Sequence, residues 1–236
     1  MADELPLLHS YVEGLDRALG GGIPKGSTIL VAGTPGTMKT ALVFSMLYEN
    51  VKRGSRALYI SLEESQEDLR ASMTDLGMTG LEDLELYILD IGRIRLEHKD
   101  EELAKNWLDV LQKYIEQRVR VNHFDLIAVD SLEALYSLSR IENPRRELFH
   151  FFGFLKRLGV TTFLISETQQ NGGQFGPYHE DFLADGTILL KFVDVGETDV
   201  QLRIRAVKMR HSKIHHGYLT LLFRDGQFMA TNPIAE

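Results

Sequence analysis

The 236-residue chain contains no cysteine, which excludes disulfides, thiolate nucleophiles and Cys-based zinc sites and leaves packing to hold the fold together. Long apolar runs are also missing. No stretch approaches the roughly 20 consecutive apolar residues that span a bilayer, and residues 1–10 lack a charged segment followed by an apolar one. A cytoplasmic protein with no membrane association is therefore expected. Basic charge is in deficit: 26 Lys and Arg against 34 Asp and Glu give a formal charge of -8, which works against general attraction to a nucleic-acid backbone. No internal repeat, low-complexity tract or Pro/Ser-rich linker interrupts the chain. With 44% hydrophobic residues it can bury one substantial core, and a single domain over 1–236 is expected.

What the sequence does hold is an alternation of short β-branched or apolar runs with longer helical stretches, the pattern of a mostly parallel α/β sheet flanked by helices. Strands are predicted over 27–32, 56–61, 126–130 and 161–166, and helices over 39–53, 66–76, about 100–120 and 145–158. The last third changes character. Runs over 187–194, 200–210, 217–223 and 227–231, joined by turns at Gly196 and Asp225-Gly226, predict a C-terminal antiparallel β extension.

Between the first predicted strand and the helix after it lies Gly33-Thr34-Pro35-Gly36-Thr37-Met38-Lys39-Thr40, the strand-to-helix setting of a phosphate-binding loop. In that reading the backbone N–H groups form an anion nest at the positive helix end, Lys39 bridges the outer phosphates and the Thr40 hydroxyl ligates magnesium. The usual pattern has glycine immediately before the lysine. Here that residue is Met38, which either crowds the pyrophosphate, takes a backbone angle that glycine adopts more easily, or projects away from the ligand.

Carboxylates stand at the ends of two further predicted strands. Asp130, closing the run Leu126-Ile127-Ala128-Val129, is a candidate magnesium group, the alternative being a cap for the following helix. Glu63-Glu64 would lie beside the γ-phosphate, where one of them could orient or deprotonate an attacking water; the alternative is that they merely complement a helix dipole. The segment 201–224 carries Arg203, Arg205, Lys208, Arg210, Lys213 and Arg224 without a single acid. Lys208 and Arg210, two apart on a predicted strand, project from one face and suit an anionic target, the alternative being a solvated basic strand. His215-His216 point to opposite faces and read as surface residues, and Trp107 reads as a packing residue of the long helix.

The order of Val12-Glu13-Gly14-Leu15-Asp16, Gly21-Gly22-Ile23-Pro24, the glycine loop, Ile60-Ser61-Leu62-Glu63-Glu64-Ser65, Val129-Asp130-Ser131 and Lys208-Met209-Arg210 resembles the KaiC family over about 12–232. The tandem glutamates and the Lys-Met-Arg segment carry this resemblance most specifically. It implies a RecA-like P-loop NTPase fold and a Mg-dependent ATPase that forms a hexameric ring with ATP between subunits. By the resemblance, Thr34, Pro35, Gly36, Thr37, Met38, Lys39, Thr40 and Ala41 cradle the phosphates. Asp75 and Leu76 lie near the base, Glu63 and Glu64 are the catalytic carboxylates, and Lys208, Met209, Arg210, Ser212 and Asp225 reach the nucleotide from the neighbouring subunit. Where the second half of the two-domain clock proteins carries adjacent Ser and Thr autophosphorylation sites, this chain has Asp181-Phe182, so that activity does not carry over.

Two other readings share these residues. One is a nucleotide-gated scaffold that hydrolyses little, for which Met38 is the motivating feature. The other is a DNA-binding ATPase like RecA or the replicative helicases. Against the second, the stretches that would face nucleic acid are 138–149, where Arg140, Arg145 and Arg146 are offset by Glu142 and Glu147, and 169–185, with Glu180, Asp181 and Asp185 and no cation.

Overall fold

The computed structural model describes residues 5–93, 107–139, 141–168 and 175–233. Runs with no polar side become strands covered on both faces: β3 (Thr28–Gly33, TILVAG) is buried at every position, and β4 (Ala57–Ser61) likewise. Such strands require helices above and below. They form the middle of a nine-stranded sheet of order β11-β10-β9-β8-β3-β7-β6-β4-β5, where β5 is Leu86–Asp90, β6 Leu126–Asp130, β7 Thr161–Glu167, β8 Gly186–Val195, β9 Asp199–Met209, β10 Leu219–Arg224 and β11 Gln227–Thr231. From β8 to β5 all pairings are parallel; β8 with β9, β9 with β10 and β10 with β11 are antiparallel. The expected α/β core with a C-terminal antiparallel extension is therefore present.

One side of the sheet packs on α2 (Lys39–Val51) and α3 (Gln66–Asp75), burying Phe44, Leu47 and Leu69 with Tyr59 and Phe163. The other packs on α4 (Trp107–Asn122), α5 (Leu132–Leu138) and α6 (Pro144–Leu158), burying Trp107, Ile115, Phe151 and Leu155 against Leu30 and Ile127. Trp107 is a core residue, as its spacing predicts. The helix expected from about residue 100 is present from Trp107 onward, and 100–106 lie outside the described residues.

Local chemistry fixes several boundaries. Helix α6 starts because the Asn143 side chain accepts from Arg146 N–H and Pro144 presets the first turn, and it stops at Gly159, whose φ of 68° closes the last turn in the left-handed region. The β10–β11 hairpin turns on Asp225 and Gly226, with φ of 51° and 77°, the two-residue turn that matches strand twist. Features that were not expected include strand β5, helix α5, the short helices Leu81–Asp83 and Glu180–Leu183, and an N-terminal strap. In the strap, β1 (Leu7–Leu8) pairs with β2 (Ile23–Pro24) around the short helix α1 (Leu15–Ala18), and Glu13 bridges to Met229 of β11.

Candidate nucleotide site

The carboxyl ends of β3, β4, β6 and β7 open onto one cleft, as expected for the ligand crevice of a parallel sheet. It has a volume of about 310 Å³ and is lined by Pro35–Thr40, Glu63, Asp130, Ser131, Ile165 and Glu167. The loop leaves β3 at Gly33, where a Cβ would stand 2.6 Å from the Leu190 carbonyl and 2.7 Å from Thr37 Oγ1. Only glycine fits there. The loop holds its own shape through Thr37, whose hydroxyl donates to the Thr34 carbonyl at 2.7 Å.

Met38 caps α2 in the left-handed region, with φ 60° and ψ 28°. The methionine thus adopts the backbone angle that glycine takes more easily, and its side chain packs, partly buried, against the α2–α3 side of the core. Ala41 also faces that core, leaving its backbone as the part available to a ligand.

Lys39 is buried, and its ammonium donates to the carbonyls of Gly33 at 3.0 Å and Thr34 at 3.1 Å. Burial lowers its pKa, against the opposing fields of Glu167, Asp130, Glu133 and Glu63. Beside it, Asp130 Oδ2 accepts from Thr40 Oγ1 at 2.7 Å and from the Tyr59 hydroxyl at 2.6 Å. Burial holds the Asp130 carboxyl above its usual range, while burial followed by the Asp130 charge keeps Tyr59 protonated far above the ordinary phenol value. The cap of α5 is Ser131, which accepts from Ala134 N–H; Asp130 is left free to face Thr40. The Asp130–Ser131 peptide is cis.

Glu63 and Glu64 precede α3, whose own cap is Ser65, and the dipole of that helix is met by Glu67 and Asp68. The pair instead sits in a turn tied by Ser61, whose hydroxyl donates to the Glu64 carbonyl at 2.6 Å. Glu63 Oε1 accepts from Ser131 Oγ. Burial, then Asp130, Asp68 and Glu63, raises the pKa of Glu64.

Two carboxylates that the sequence did not single out also act on Lys39, Glu167 from the cleft lining and Glu133 from behind it. Glu167 ends β7 opposite Gly33 and exerts the largest carboxylate field on Lys39. Glu133, in the first turn of α5, accepts from Ser166 Oγ at 2.6 Å, and its other oxygen is buried without a hydrogen bond. Glu167 had a readable signal, a carboxylate one residue beyond a predicted strand; Glu133, on an unexpected helix, had none.

The remaining residues named by sequence lie elsewhere on this chain. Met209 pairs with Gly186, which stands level with Ile29, four residues before Gly33. Lys208 pairs with Thr187, level with Leu30, so at strand rise Lys208 stands about 10 Å and Arg210 about 13 Å or more before Gly33 along the sheet, toward its opposite end. Both turn toward α7 (Glu180–Leu183): Lys208 Nζ donates to the Asp181 carbonyl at 2.6 Å, and Arg210 Nη1 donates to Asp185 Oδ1 at 3.0 Å. Ser212 follows in the half-buried turn after β9, and the Met209 side chain is in the core. Leu76 ends α3 against the Asp225–Gly226 turn of the same chain, its carbonyl 3.4 Å from the Cβ position of Gly226, with the exposed Asp75 just before it. Arg203 is buried against Thr220, and Arg205 and Lys191 approach the Tyr218 ring; part of the basic segment thus stabilises the antiparallel extension itself. His215 and His216 are exposed, and no cluster of three metal-ligating side chains occurs among the described residues. No helix among them is long and apolar enough to cross a membrane. Arg140 and 169–174, which bear on nucleic-acid binding, lie outside the described residues.

A sequence profile described as "ATPase: KaiC" matches residues 8–227. The circadian clock oscillator protein KaiC of Picosynechococcus is 30% identical over 197 residues, covering 80% of this chain; the chain spans 38% of that protein's length. A UPF0273 protein of Pyrobaculum aerophilum is 31% identical over 229 residues, covering 90% of this chain and 79% of that one. Among solved structures, a KaiC-like protein from Pyrococcus horikoshii superposes with a TM-score of 0.80 at 23% identity over 96% of this chain and 99% of that one, a likeness of fold. Phosphate-loop geometry, strand order and profile agree: the chain belongs to the KaiC family of RecA-like P-loop ATPases.

Proposed function

We propose that the chain is one Mg-dependent ATPase domain that hydrolyses ATP at sites completed by a neighbouring copy in a ring, as the hexamers implied by the family resemblance would be. The observation that carries the reading is the Thr40–Asp130 pair, held at 2.7 Å beside the buried Lys39. A hydroxyl and a carboxylate are the hard oxygen donors that magnesium takes, and the loop amides at the start of α2 suit phosphate oxygens. The residues present therefore fit Mg-ATP. Bound magnesium would supply charge neutralisation at the transferring phosphoryl group.

In this mechanism Lys39 exchanges the Gly33 and Thr34 carbonyls for phosphate oxygens. Thr40 and Asp130 hold the ion, with Tyr59 fixing the Asp130 carboxylate by its hydroxyl. One of Glu63 and Glu64 orients a water and receives its proton: Glu63 lines the cleft and is steered by Ser131, and Glu64 is held above the usual carboxylate range by burial and then by Asp130. Glu63, Asp130, Glu133 and Glu167 all act on the single lysine Lys39 at the cleft. Nucleotide without magnesium should accordingly bind at least about tenfold more weakly, because its phosphates meet uncompensated carboxylates.

Lys208 and Arg210 are held against residues 181–185, away from their own phosphate loop, which supports a role at the neighbour's. Phe182, between their contacts, is 66% exposed, as an apolar residue at a subunit contact would be in a lone chain. An arginine supplied in trans stabilises charge on the phosphoryl group.

The test is steady-state phosphate release from ATP and magnesium by the purified protein, with Lys39→Ala as control. Turnover that vanishes in the control supports the ATPase. Nucleotide binding without turnover above the control would instead favour the scaffold reading, which Met38 in its left-handed conformation motivates.

A further inference from the structure

Glu180 is fully buried, with none of its surface exposed. A carboxylate in that setting needs partners. Its Oε1 accepts from the Tyr136 hydroxyl at 2.7 Å and its Oε2 accepts from Tyr178 N–H at 3.1 Å. The Tyr136 and Tyr178 rings meet edge to face, 5.1 Å between centroids. The fit leaves no spare room: a Cβ on Gly176 would stand 2.2 Å from Glu180 Oε2.

This buried group joins α5, at the edge of the nucleotide cleft, to the segment that holds Lys208 and Arg210. Tyr136 lies on α5, which begins at Ser131 beside Glu63. Glu180 opens α7, whose backbone holds the two cations: the Asp181 carbonyl accepts from Lys208, and the Phe182 carbonyl accepts from Arg210 Nη2 at 3.4 Å. Asp185 completes the grip, with Oδ1 accepting from Arg210 and from Lys156 Nζ at 2.9 Å, and Oδ2 from Thr28 N–H.

We propose that the Tyr136–Glu180 hydrogen bond is a strut that positions Lys208 and Arg210, through α7, for the nucleotide of the neighbouring subunit. The proposal rests on the trans arrangement proposed above. It makes Tyr136 and Glu180 positioning residues for the next site in the ring and dispensable for their own.

The experiment uses rings co-assembled from two differently tagged chains and purified by both tags. Donor chains carry Glu63→Gln with Glu64→Gln, so they bind but do not hydrolyse; acceptor chains carry Arg210→Ala. Donor and acceptor together should regain turnover that neither has alone. Adding Tyr136→Phe to the donor should cut the regained kcat about tenfold, a loss of about 1.4 kcal/mol of transition-state stabilisation, with KM little changed. Adding Tyr136→Phe to the acceptor should leave the regained turnover intact. Gly176→Ala in the donor, which displaces Glu180 while keeping both polar partners, should reproduce the donor-side loss. Equal loss from either side, or no loss from the donor side in rings of normal size, overturns the strut. If donor and acceptor without further changes regain nothing, the trans arrangement itself fails and the strut falls with it.

Discussion

At the scale of single residues, the cleft is defined by groups held in states they would not adopt in water. Met38 spends backbone energy to stand in the left-handed region, at a cost of about 1–2 kcal/mol for a residue with a Cβ. Because its backbone already has the angle that glycine would take, Met38→Gly should leave ATP affinity within about threefold in a calorimetric titration, an energy change below about 0.7 kcal/mol. A tenfold gain would mean that the side chain obstructs the phosphates. Burial holds Glu64, Asp130 and Glu133 above the usual carboxylate range. For such groups the folded chain binds more protons than the unfolded one, so their contribution to stability is complete below the unfolded value and is lost as pH rises through the folded value. In Glu49 and Asp185 burial is outweighed by hydrogen bonds from Arg53 and Lys156, and their contributions are lost only at more acid pH. As pH falls from neutral toward the ordinary carboxylate range the raised group therefore sets the trend: this set should raise the melting temperature of the nucleotide-free chain. Glu133→Gln should raise it at pH 7 and shrink the gain on acidification; an unchanged pH profile would show that Glu133 is not a source of it.

At the scale of elements, the most demanding junction is the end of β3. Gly33 must pass between the Leu190 carbonyl and Thr37 Oγ1, so Gly33→Ala should shift the loop and weaken nucleotide binding at least about tenfold, while the melting temperature reports a loss of about 1–3 kcal/mol. An alanine variant with native affinity would show that the loop can move aside. The same junction explains what sequence could reveal. Strands β3, β4, β6 and β7 were legible because parallel strands buried on both faces leave continuous apolar runs, and each ends in a residue suited to chemistry. Strand β5 was not: it is the edge strand, with Tyr87 exposed, and follows directly on the acidic stretch that holds Glu82, Asp83 and Glu85. Helix α5 is only seven residues and reads as the cap that Ser131 supplies, hiding Glu133 and Tyr136. Contacts such as Tyr59 with Asp130, or Glu180 with Tyr136, join residues 71 and 44 positions apart, and no local pattern encodes them. The placement of Lys208 and Arg210 away from their own loop likewise follows from register, not from composition.

At the scale of the whole molecule, the phosphate loop and the two cations occupy opposite ends of the sheet. If the site is completed by a neighbour, specific activity must fall on dilution as assemblies come apart. Phosphate release per chain should drop by about tenfold or more across the dissociation range, in step with mass measured by light scattering. Activity per chain that stays constant down to the monomer would rule out a shared site. The separation has a geometric outcome as well. A chain that offers cations at one end and receives them at the other has a head and a tail, and copies joined head to tail either close into a ring or continue as a filament. A chain crippled at one end alone would still join at the other and stop further growth there. Small amounts of such a chain would act as terminators, shortening every open assembly before closure and converting a loss at one residue into a defect of the whole population.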